Sequence, residues 1–260
     1  MNKLIDTHAH ICSSEFDDDR PQVLQSADTA GVGAIVCVGE DLADAHKNLA
    51  LAQSHPICKP AAGLYPTHLD PAQADRMIAF IRANHEKLVA IGEVGLDYWV
   101  IKEDDAKQLQ KEIFKRFIAL SNELDLPLNV HSRSAGRHAI DLLLAAGARH
   151  VQMHAFDGKS AAALPGVEAG YLFSIPPSVV RSRQKQKLVK QLPMSCLLAE
   201  TDSPVLGPEP GLRNEPANIT IVVETIAQIK NLPKEAVVDA LVANGRRLYG
   251  STLNPAIIMN

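Results

Sequence analysis

The feature of this sequence that most restricts its fold is a regular alternation of short apolar runs with longer amphipathic segments. Runs rich in Val, Ile and Leu that are bounded by turn residues predict strands. Eight such strands begin near Leu4, Ala34, Lys59, Leu88, Pro127, His150, Gly170 and Cys196. Strands that alternate with helices form parallel sheets, and eight such units are the number that closes a barrel. The pattern predicts an α/β protein folded as a (β/α)8 TIM barrel, with a doubly wound open sheet as the alternative.

The segments between the strands have the spacing of amphipathic helices. Residues 104–124 place Leu109, Ile113 and Phe117 on one helical face. Further helices are predicted over residues 135–146, 217–230 and 233–248. Because no repeat, low-complexity tract or linker marks a boundary, residues 1–260 are predicted to form a single domain.

Composition excludes several classes of function. The net charge of -4 provides no general attraction to nucleic acid or to an anionic membrane, so a phosphate site has to be local. No apolar run approaches the roughly 18 residues that a membrane span needs, so no membrane association is expected. The four cysteines are widely spaced, and the N-terminus does not resemble a signal peptide. We therefore expect a reduced compartment, the cytoplasm or the nucleus, and the sequence indicates no obligate protein partner.

The first strand carries two histidines, His8 and His10, directly behind an apolar start. Side chains alternate along a strand, so the two imidazoles face the same way, about 7 Å apart along the strand. Such a pair is one half of a metal site. For an isolated His-x-His, the alternative is a coincidence on a solvated strand or the remnant of a tag.

Polar residues at the ends of four further strands favour the metal site. They are Glu93 after the fourth strand, His131 and Arg133 after the fifth, His154 after the sixth, and Glu200 and Asp202 after the eighth. The carboxyl ends of barrel strands lie on one rim, where barrels place their active sites. The two longest loops, residues 95–105 and 204–216, follow strands at the same rim. A single histidine is more often a hydrogen-bonded core residue, but polar groups on five strands together indicate a site.

Four imidazoles and two carboxylates form a nitrogen and oxygen donor set for divalent transition metals. One ion needs three or four protein ligands, so six ligands indicate two ions, with Glu93 as the shared carboxylate. Two adjacent cations stabilise the attacking and leaving oxygens of a displacement and acidify bound water. The predicted chemistry is hydrolysis, with Asp202 as ligand and as the general base that accepts the proton of the attacking water. A role as ligand only is the alternative for Asp202.

Six blocks of sequence carry a family resemblance. They are Asp6-Thr7-His8-Ala9-His10, Gly92-Glu93-Val94-Gly95-Leu96-Asp97, His131-Ser132-Arg133, His154-Ala155-Phe156-Asp157-Gly158, Glu200-Thr201-Asp202-Ser203-Pro204 and Arg213-Asn214-Glu215-Pro216. In this order they resemble the signature of the TatD family of metal-dependent deoxyribonucleases. The resemblance covers the chain from residue 4 to about residue 250, and the blocks are specific together, whereas His-x-His alone is not.

The resemblance implies an amidohydrolase-like TIM barrel with two divalent metal cations, Zn, Mn or Mg. By the family pattern, one ion is held by His8, His10, Glu93 and Asp202, and the other by Glu93, His131 and His154. Glu93 takes the place of the carboxylated lysine that bridges the ions in many related amidohydrolases. Asp97 and Glu200 are expected to accept hydrogen bonds from metal-bound histidines, and a direct ligand role is the alternative for each.

Substrate contacts are predicted at Arg133, Tyr65 and His68. Arg133 is expected to clamp a phosphate through two hydrogen bonds, a salt bridge to a rim carboxylate being the alternative. Members of the family commonly have Gly-x-His-Pro after the third strand, whereas this chain has Gly63-Leu64-Tyr65-Pro66, with His68 two residues after the proline. Tyr65 keeps a hydrogen bond but no positive charge, so the pattern constrains the substrate less than the metal site.

Two further features each have two interpretations. The basic run after the seventh strand, Arg181, Arg183, Lys185, Lys187 and Lys190, either neutralises a DNA backbone or forms a solvated helix face. Trp99, the only tryptophan, either stacks on a base or packs its own loop.

The sequence thus predicts a hydrolase of phosphodiester bonds in DNA that acts near a 3′ end or on a single strand with two divalent cations. Its catalytic residues are predicted to be Asp202, Glu93 and Arg133. The first alternative is an amidohydrolase or lactonase for small molecules, because the same activated water attacks carbonyl groups. The second alternative is a metal-stabilised scaffold that binds a partner without catalysis.

Overall fold

The computed structural model describes residues 2–253. Its eight strands form one sheet in sequential order, and neighbouring strands are parallel. They are β1 Leu4–Ala9, β2 Val32–Cys37, β3 Cys58–Ala62, β4 Ala90–Gly95, β5 Leu128–His131, β6 Val151–Met153, β7 Leu172–Ile175 and β8 Leu197–Ala199. The sequential order confirms the predicted barrel, since the order of a doubly wound sheet reverses part way. Met1 and residues 254–260 of the predicted domain lie outside the described residues.

Within residues 2–253, nine α-helices accompany the strands. They are α1 Arg20–Thr29, α2 Leu42–Ser54, α3 Pro71–Asn84, α4 Asp104–Leu124, α5 Gly136–Ala145, α6 Ser160–Glu168, α7 Arg183–Gln191, α8 Ile219–Lys230 and α9 Lys234–Tyr249. Short 3₁₀ turns lie at Ser14–Phe16, His85–Lys87, Pro177–Val180, Met194–Cys196, Pro216–Asn218 and Gly250–Leu253. The four helices predicted from spacing match α4, α5, α8 and α9 to within two residues at each end.

Local sequence determines where several helices begin. Asp41, Asp70 and Ser182 stand directly before α2, α3 and α7, and each side chain accepts a hydrogen bond from a backbone N–H of the first turn. These caps satisfy donors that have no partner inside the helix. The interiors follow the apolar spacing, so that α4 buries Ile113 and Phe117.

The strands are buried on both sides, which explains why they are nearly continuous apolar runs. Polar residues nevertheless point into the barrel, where Asn129, Gln152, Ser174 and Glu200 are fully buried. Gln152 Nε2 donates to Ser174 Oγ at 2.9 Å, and Ser174 Oγ donates to Glu200 at 2.6 Å. Because buried polar groups need partners, this network fixes the side chains beneath the carboxyl ends of the strands.

Hydrogen bonds join β8 to β1 at the seam of the barrel. Thr7 Oγ1 donates to the carbonyl of Ala199 at 2.9 Å. Just beyond the strands, Asp202 N donates to the His8 carbonyl at 2.8 Å and His10 N donates to the Ser203 carbonyl at 2.7 Å. These backbone bonds hold His8 and His10 beside Asp202, although the residues are almost 200 positions apart.

The Arg213-Asn214-Glu215-Pro216 block fixes the long loop after β8. Asn214 Nδ2 donates to the carbonyls of Thr201 at 2.7 Å and Val205 at 2.8 Å. Arg213 donates to the Glu15 carbonyl at 2.6 Å and to the carboxylate of Asp19. The block therefore holds the loop that follows Asp202 against the loop after β1.

All four cysteines carry free, buried thiols. None of the helices in residues 2–253 combines the length and the apolar character needed to cross a bilayer.

Candidate metal centre

Six polar side chains predicted to form a site converge at the carboxyl ends of the strands. His8, Glu93 and His131 lie on β1, β4 and β5, whereas His10, His154 and Asp202 follow the ends of β1, β6 and β8. Three overlapping groups have their ligand atoms within 4.8 Å of one another: His8, His154 and Asp202; His8, His10 and Glu93; and Glu93, His131 and His154. They lie at a cavity of about 710 Å³, lined among others by His10, Glu93, His131, His154 and Asp202.

Glu93 is the centre of this cluster. Its Oε2 lies 3.3 Å from Nε2 of His10 and 3.6 Å from Nε2 of His8. Its Oε1 lies 2.7 Å from Nδ1 of His131 and 3.6 Å from Nε2 of His154. The two oxygens thus face different pairs of imidazoles, which is the arrangement a bridging carboxylate needs.

Asp202 faces three of the same imidazoles, those of His8, His10 and His154. Its Oδ1 lies 3.3 Å from Nε2 of His8 and 3.6 Å from Nε2 of His10, while Oδ2 lies 3.9 Å from Nε2 of His154. The backbone of Asp202 is left-handed, with φ of 56°. Such a conformation is uncommon outside glycine, and Asp is one of the residues that tolerate it best.

The outer nitrogen of three imidazoles is held by a buried oxygen. Nδ1 of His8 lies 2.7 Å from Oδ1 of Asn129. Nε2 of His131 lies 3.0 Å from Oδ2 of Asp97, and Nδ1 of His154 lies 3.1 Å from Oε2 of Glu200. Such bonds fix the ring orientation and leave the inner nitrogen unprotonated for a metal. Asp97 and Glu200 thus face His131 and His154, and their support of metal-bound imidazoles stays a prediction.

Asn129 is a contributor that the sequence interpretation missed. Its Nδ2 donates to the Thr7 carbonyl at 2.9 Å, which turns Oδ1 toward His8. The available signal was a polar residue two positions before His131 on an otherwise apolar strand, since such positions share a face.

The electrostatics of the cluster are those of carboxylates surrounded by imidazoles. Burial alone raises the pKa of Glu93, but His154, His10, His131 and His8 hold it well below its usual range. Conversely, burial disfavours a charged imidazole, yet hydrogen bonding to Asp202 and the charge of Glu93 raise the pKa of His8 to about 10. The carboxylates therefore favour positive charge among the imidazoles, and a divalent cation provides that charge.

The donor set fits divalent cations. The three groups found in residues 2–253 contain only imidazole and carboxylate donors. Five of the six residues are buried, and the sixth, His10, is partly exposed at the cavity. Cys12 also lines the cavity, but its Sγ donates to the Val38 carbonyl at 3.4 Å. Imidazole and carboxylate donors together suit divalent transition metals.

Gly95 allows β4 and β5 to approach closely beside this cluster. Its φ is +148°, and a Cβ atom there would collide with the carbonyl oxygen of His131. A glycine at position 95 is therefore required by the backbone that brings Glu93 next to His131.

Lys185 is a second residue whose position the sequence did not reveal. It is the one lysine in residues 2–253 that is buried, whereas Arg181, Arg183, Lys187 and Lys190 of the basic run are exposed. It lines the cavity, and its Nζ donates to the Ala155 carbonyl at 2.9 Å. Burial lowers the pKa of Lys185. Apart from Arg181, which precedes α7, the basic run is therefore a solvated face of that helix, with one cation turned into the site.

Two of the three predicted substrate contacts line the cavity, and the third does not. Arg133 and Tyr65 both line the cavity, and the Tyr65 ring lies 5.0 Å from the His131 ring. His68 does not line the cavity, and its Nδ1 lies 3.2 Å from Oε1 of Gln73. The cavity thus retains two of the three side chains within direct reach of a ligand.

A TIM barrel with imidazoles and carboxylates gathered at its carboxyl rim defines a metal-dependent hydrolase of the amidohydrolase-like class. Within that class, this chain belongs to the TatD family, because the profile described as TatD related DNase matches residues 5–250.

Known relatives agree with this assignment over nearly the whole chain. The human deoxyribonuclease TATDN3 is 43% identical over 258 residues, covering 95% of this chain and 94% of the human protein. The 3′-5′ ssDNA/RNA exonuclease TatD of Citrobacter rodentium is 30% identical, covering 97% of this chain and all of that protein. The crystal structure of the TatD homologue YJJV from Escherichia coli superposes with a TM-score of 0.88 at 26% identity, covering 95% of this chain and 98% of YJJV.

The hydrogen bonds behind the imidazoles lead to a prediction for Glu200. Glu200 accepts from His154, from Ala155 N at 2.8 Å and from Ser174. Glu200→Gln keeps the shape but replaces one acceptor oxygen by an NH₂ group, so we expect metal affinity to fall roughly 10- to 100-fold. Competition with a chromophoric chelator measures it. The exposed Glu168→Gln is the control, and wild-type affinity in Glu200→Gln would contradict the role assigned to this carboxylate.

Proposed function

We propose that this protein hydrolyses phosphodiester bonds in DNA with two divalent cations, acting on single strands from the 3′ end. The observation that carries the proposal is the convergence of four imidazoles and two carboxylates around one cavity. Membership of the TatD related DNase family supports the substrate class. The deoxyribonuclease and exonuclease activities for which the human and Citrobacter relatives are named agree with it.

One ion is assigned to His8, His10, Glu93 and Asp202, and the other to Glu93, His131 and His154, with Glu93 between them. The distances of both Glu93 oxygens from the two pairs of imidazoles support this division. When bound, the cations supply Lewis-acid stabilisation and lower the pKa of water.

Side chains of the protein transfer the proton, bind the phosphate and orient the imidazoles. Asp202 accepts the proton of the attacking water at Oδ2, the oxygen farther from His8 and His10, and returns it to the leaving oxygen as the bond between that oxygen and phosphorus breaks. Arg133 and Lys185, two cations of the cavity wall, hold the non-bridging oxygens of the phosphate. Asp97, Asn129 and Glu200 keep the imidazoles oriented.

A hydrolase of carbonyl centres is the second candidate, and the position of Tyr65 favours it. The phenol lies in the cavity, where burial raises its pKa, so it stays a neutral O–H donor. Such a donor suits a carbonyl oxygen, whereas it lacks the positive charge that attracts a phosphate. Assays with single-stranded DNA beside a panel of amides and lactones, in Mg²⁺, Mn²⁺ or Zn²⁺, distinguish the two.

Asp202→Asn is expected to retain the fold and to lose roughly 10²- to 10⁴-fold in turnover, because the amide accepts no proton. The measurement is the rate of nucleotide release from a labelled single-stranded oligonucleotide. Activity should also disappear on chelation and return with added metal, which a scaffold without catalysis would not show. The exposed Asp18→Asn is the matched control, and wild-type turnover in Asp202→Asn would remove this residue from the chemistry.

Lys185→Met tests the phosphate contact. The substitution removes the ammonium but keeps an unbranched side chain in the buried position. We expect kcat/KM for DNA to fall roughly 10- to 100-fold, because one charged hydrogen bond to the phosphate is lost. Lys187→Met, on the exposed face of the same helix, is the control. Thermal melting monitors folding, and equal kcat/KM values for the two folded variants would exclude a substrate role for Lys185.

A further inference from the structure

We propose that Trp99 forms a stacking site for an unpaired nucleobase beside the metal cavity, with Arg133 and Lys102 as neighbouring contacts for the backbone phosphates. The inference rests on the proposed function and makes it more specific, since it assigns one face of the substrate to one side chain. It also gives a physical basis for a preference for single strands.

The indole of Trp99 is exposed on a loop that is firmly held. Its residue exposure is 58%, and the next residue, Val100, is 54% exposed. The backbone N–H groups of both residues donate to Oδ1 of Asp97 at 2.8 Å. Tyr98 N donates to the Arg133 carbonyl at 2.9 Å. The ring is therefore presented to solvent by a turn that backbone hydrogen bonds fix.

Asp97 connects this turn to the metal centre. While its Oδ1 holds the backbone of Trp99 and Val100, its Oδ2 lies 3.0 Å from Nε2 of His131. One buried carboxylate thus fixes both an imidazole of the centre and the base of the loop that carries the indole. The position of the loop relative to His131 is therefore fixed by this carboxylate.

Arg133 links the ring to the cavity. Its guanidinium carbon lies 5.1 Å from the centre of the Trp99 ring, and the same side chain lines the cavity. The side chain of Arg133 therefore connects the ring to the place where the phosphate is proposed to bind. A base adjacent to that phosphate along the strand is the part of the substrate that reaches the ring.

The charges around the ring match a nucleic acid strand. Lys102 Nζ lies 5.4 Å from the ring centre and donates to the Tyr98 carbonyl at 2.8 Å. An aromatic face flanked by two cations is the combination used to bind unpaired bases and their phosphates. Stacking of a base is stronger than an exposed cation–π contact, so a base can displace Arg133, which is then free to bind phosphate. A base stacked inside a duplex does not offer its face, so the site selects single strands.

Because Trp99 is the only tryptophan, its fluorescence reports on this site alone. The metal-loaded wild-type chain is mixed rapidly with a short oligothymidylate or with an oligomer of the same length that carries abasic spacers, and fluorescence is read before hydrolysis. Anisotropy of a label on each oligomer measures binding separately. We expect oligothymidylate to quench the tryptophan and to bind roughly 5- to 100-fold more tightly than the abasic oligomer.

Variants separate stacking from a structural role. Trp99→Ala should lose the preference for oligothymidylate and leave affinity for the abasic oligomer unchanged, whereas Trp99→Phe should keep most of it. Val100→Ala, at the exposed neighbour, is the control. Equal binding of both oligomers by the wild type, or an equal loss for both in Trp99→Ala, would overturn the stacking site while leaving the proposed function intact. Absence of any binding in the anisotropy measurement would instead refute the proposed function, and the stacking site with it.

Discussion

The structure depends on one buried carboxylate that is surrounded by imidazoles. Glu93 is only 1% exposed, and an ionised carboxylate without partners at that depth is strongly unfavourable. Its oxygens are instead within 3.6 Å of ring nitrogens from His8, His10, His131 and His154. Those rings come from β1, β5 and the turns after β1 and β6, so the charge of Glu93 is stabilised only when the barrel has assembled.

The barrel in turn fixes the positions of the side chains that form the metal centre. Parallel pairing places the strand ends on one rim, and the bonds of the seam set His8 and His10 beside Asp202. Behind the rings, Asn129, Asp97 and Glu200 orient the imidazoles through their outer nitrogens. Because Asp97 also holds the loop after β4, the metal centre and the rim of the cavity are fixed by the same hydrogen bonds.

Local patterns predicted the strands, the helices and the six converging side chains. The helices follow from the spacing of apolar residues, as for α4, and the site residues from their position at the ends of apolar runs, as for His131. The burial of Lys185 and the role of Asn129 were not predicted. Burial of a lysine within a basic run, and the partner of an amide inside a barrel, depend on contacts distant in sequence. The single domain and the ligand roles stay predictions.

The central proposal is that the cluster holds two cations that share Glu93. Electron paramagnetic resonance of the Mn²⁺-loaded chain, combined with elemental analysis, tests it most directly. The account predicts about two Mn²⁺ per chain with a spin-coupled spectrum that Glu93→Gln abolishes. A spectrum of isolated Mn²⁺ in the wild-type chain at saturation, or a spin-coupled spectrum that persists in Glu93→Gln, would contradict it.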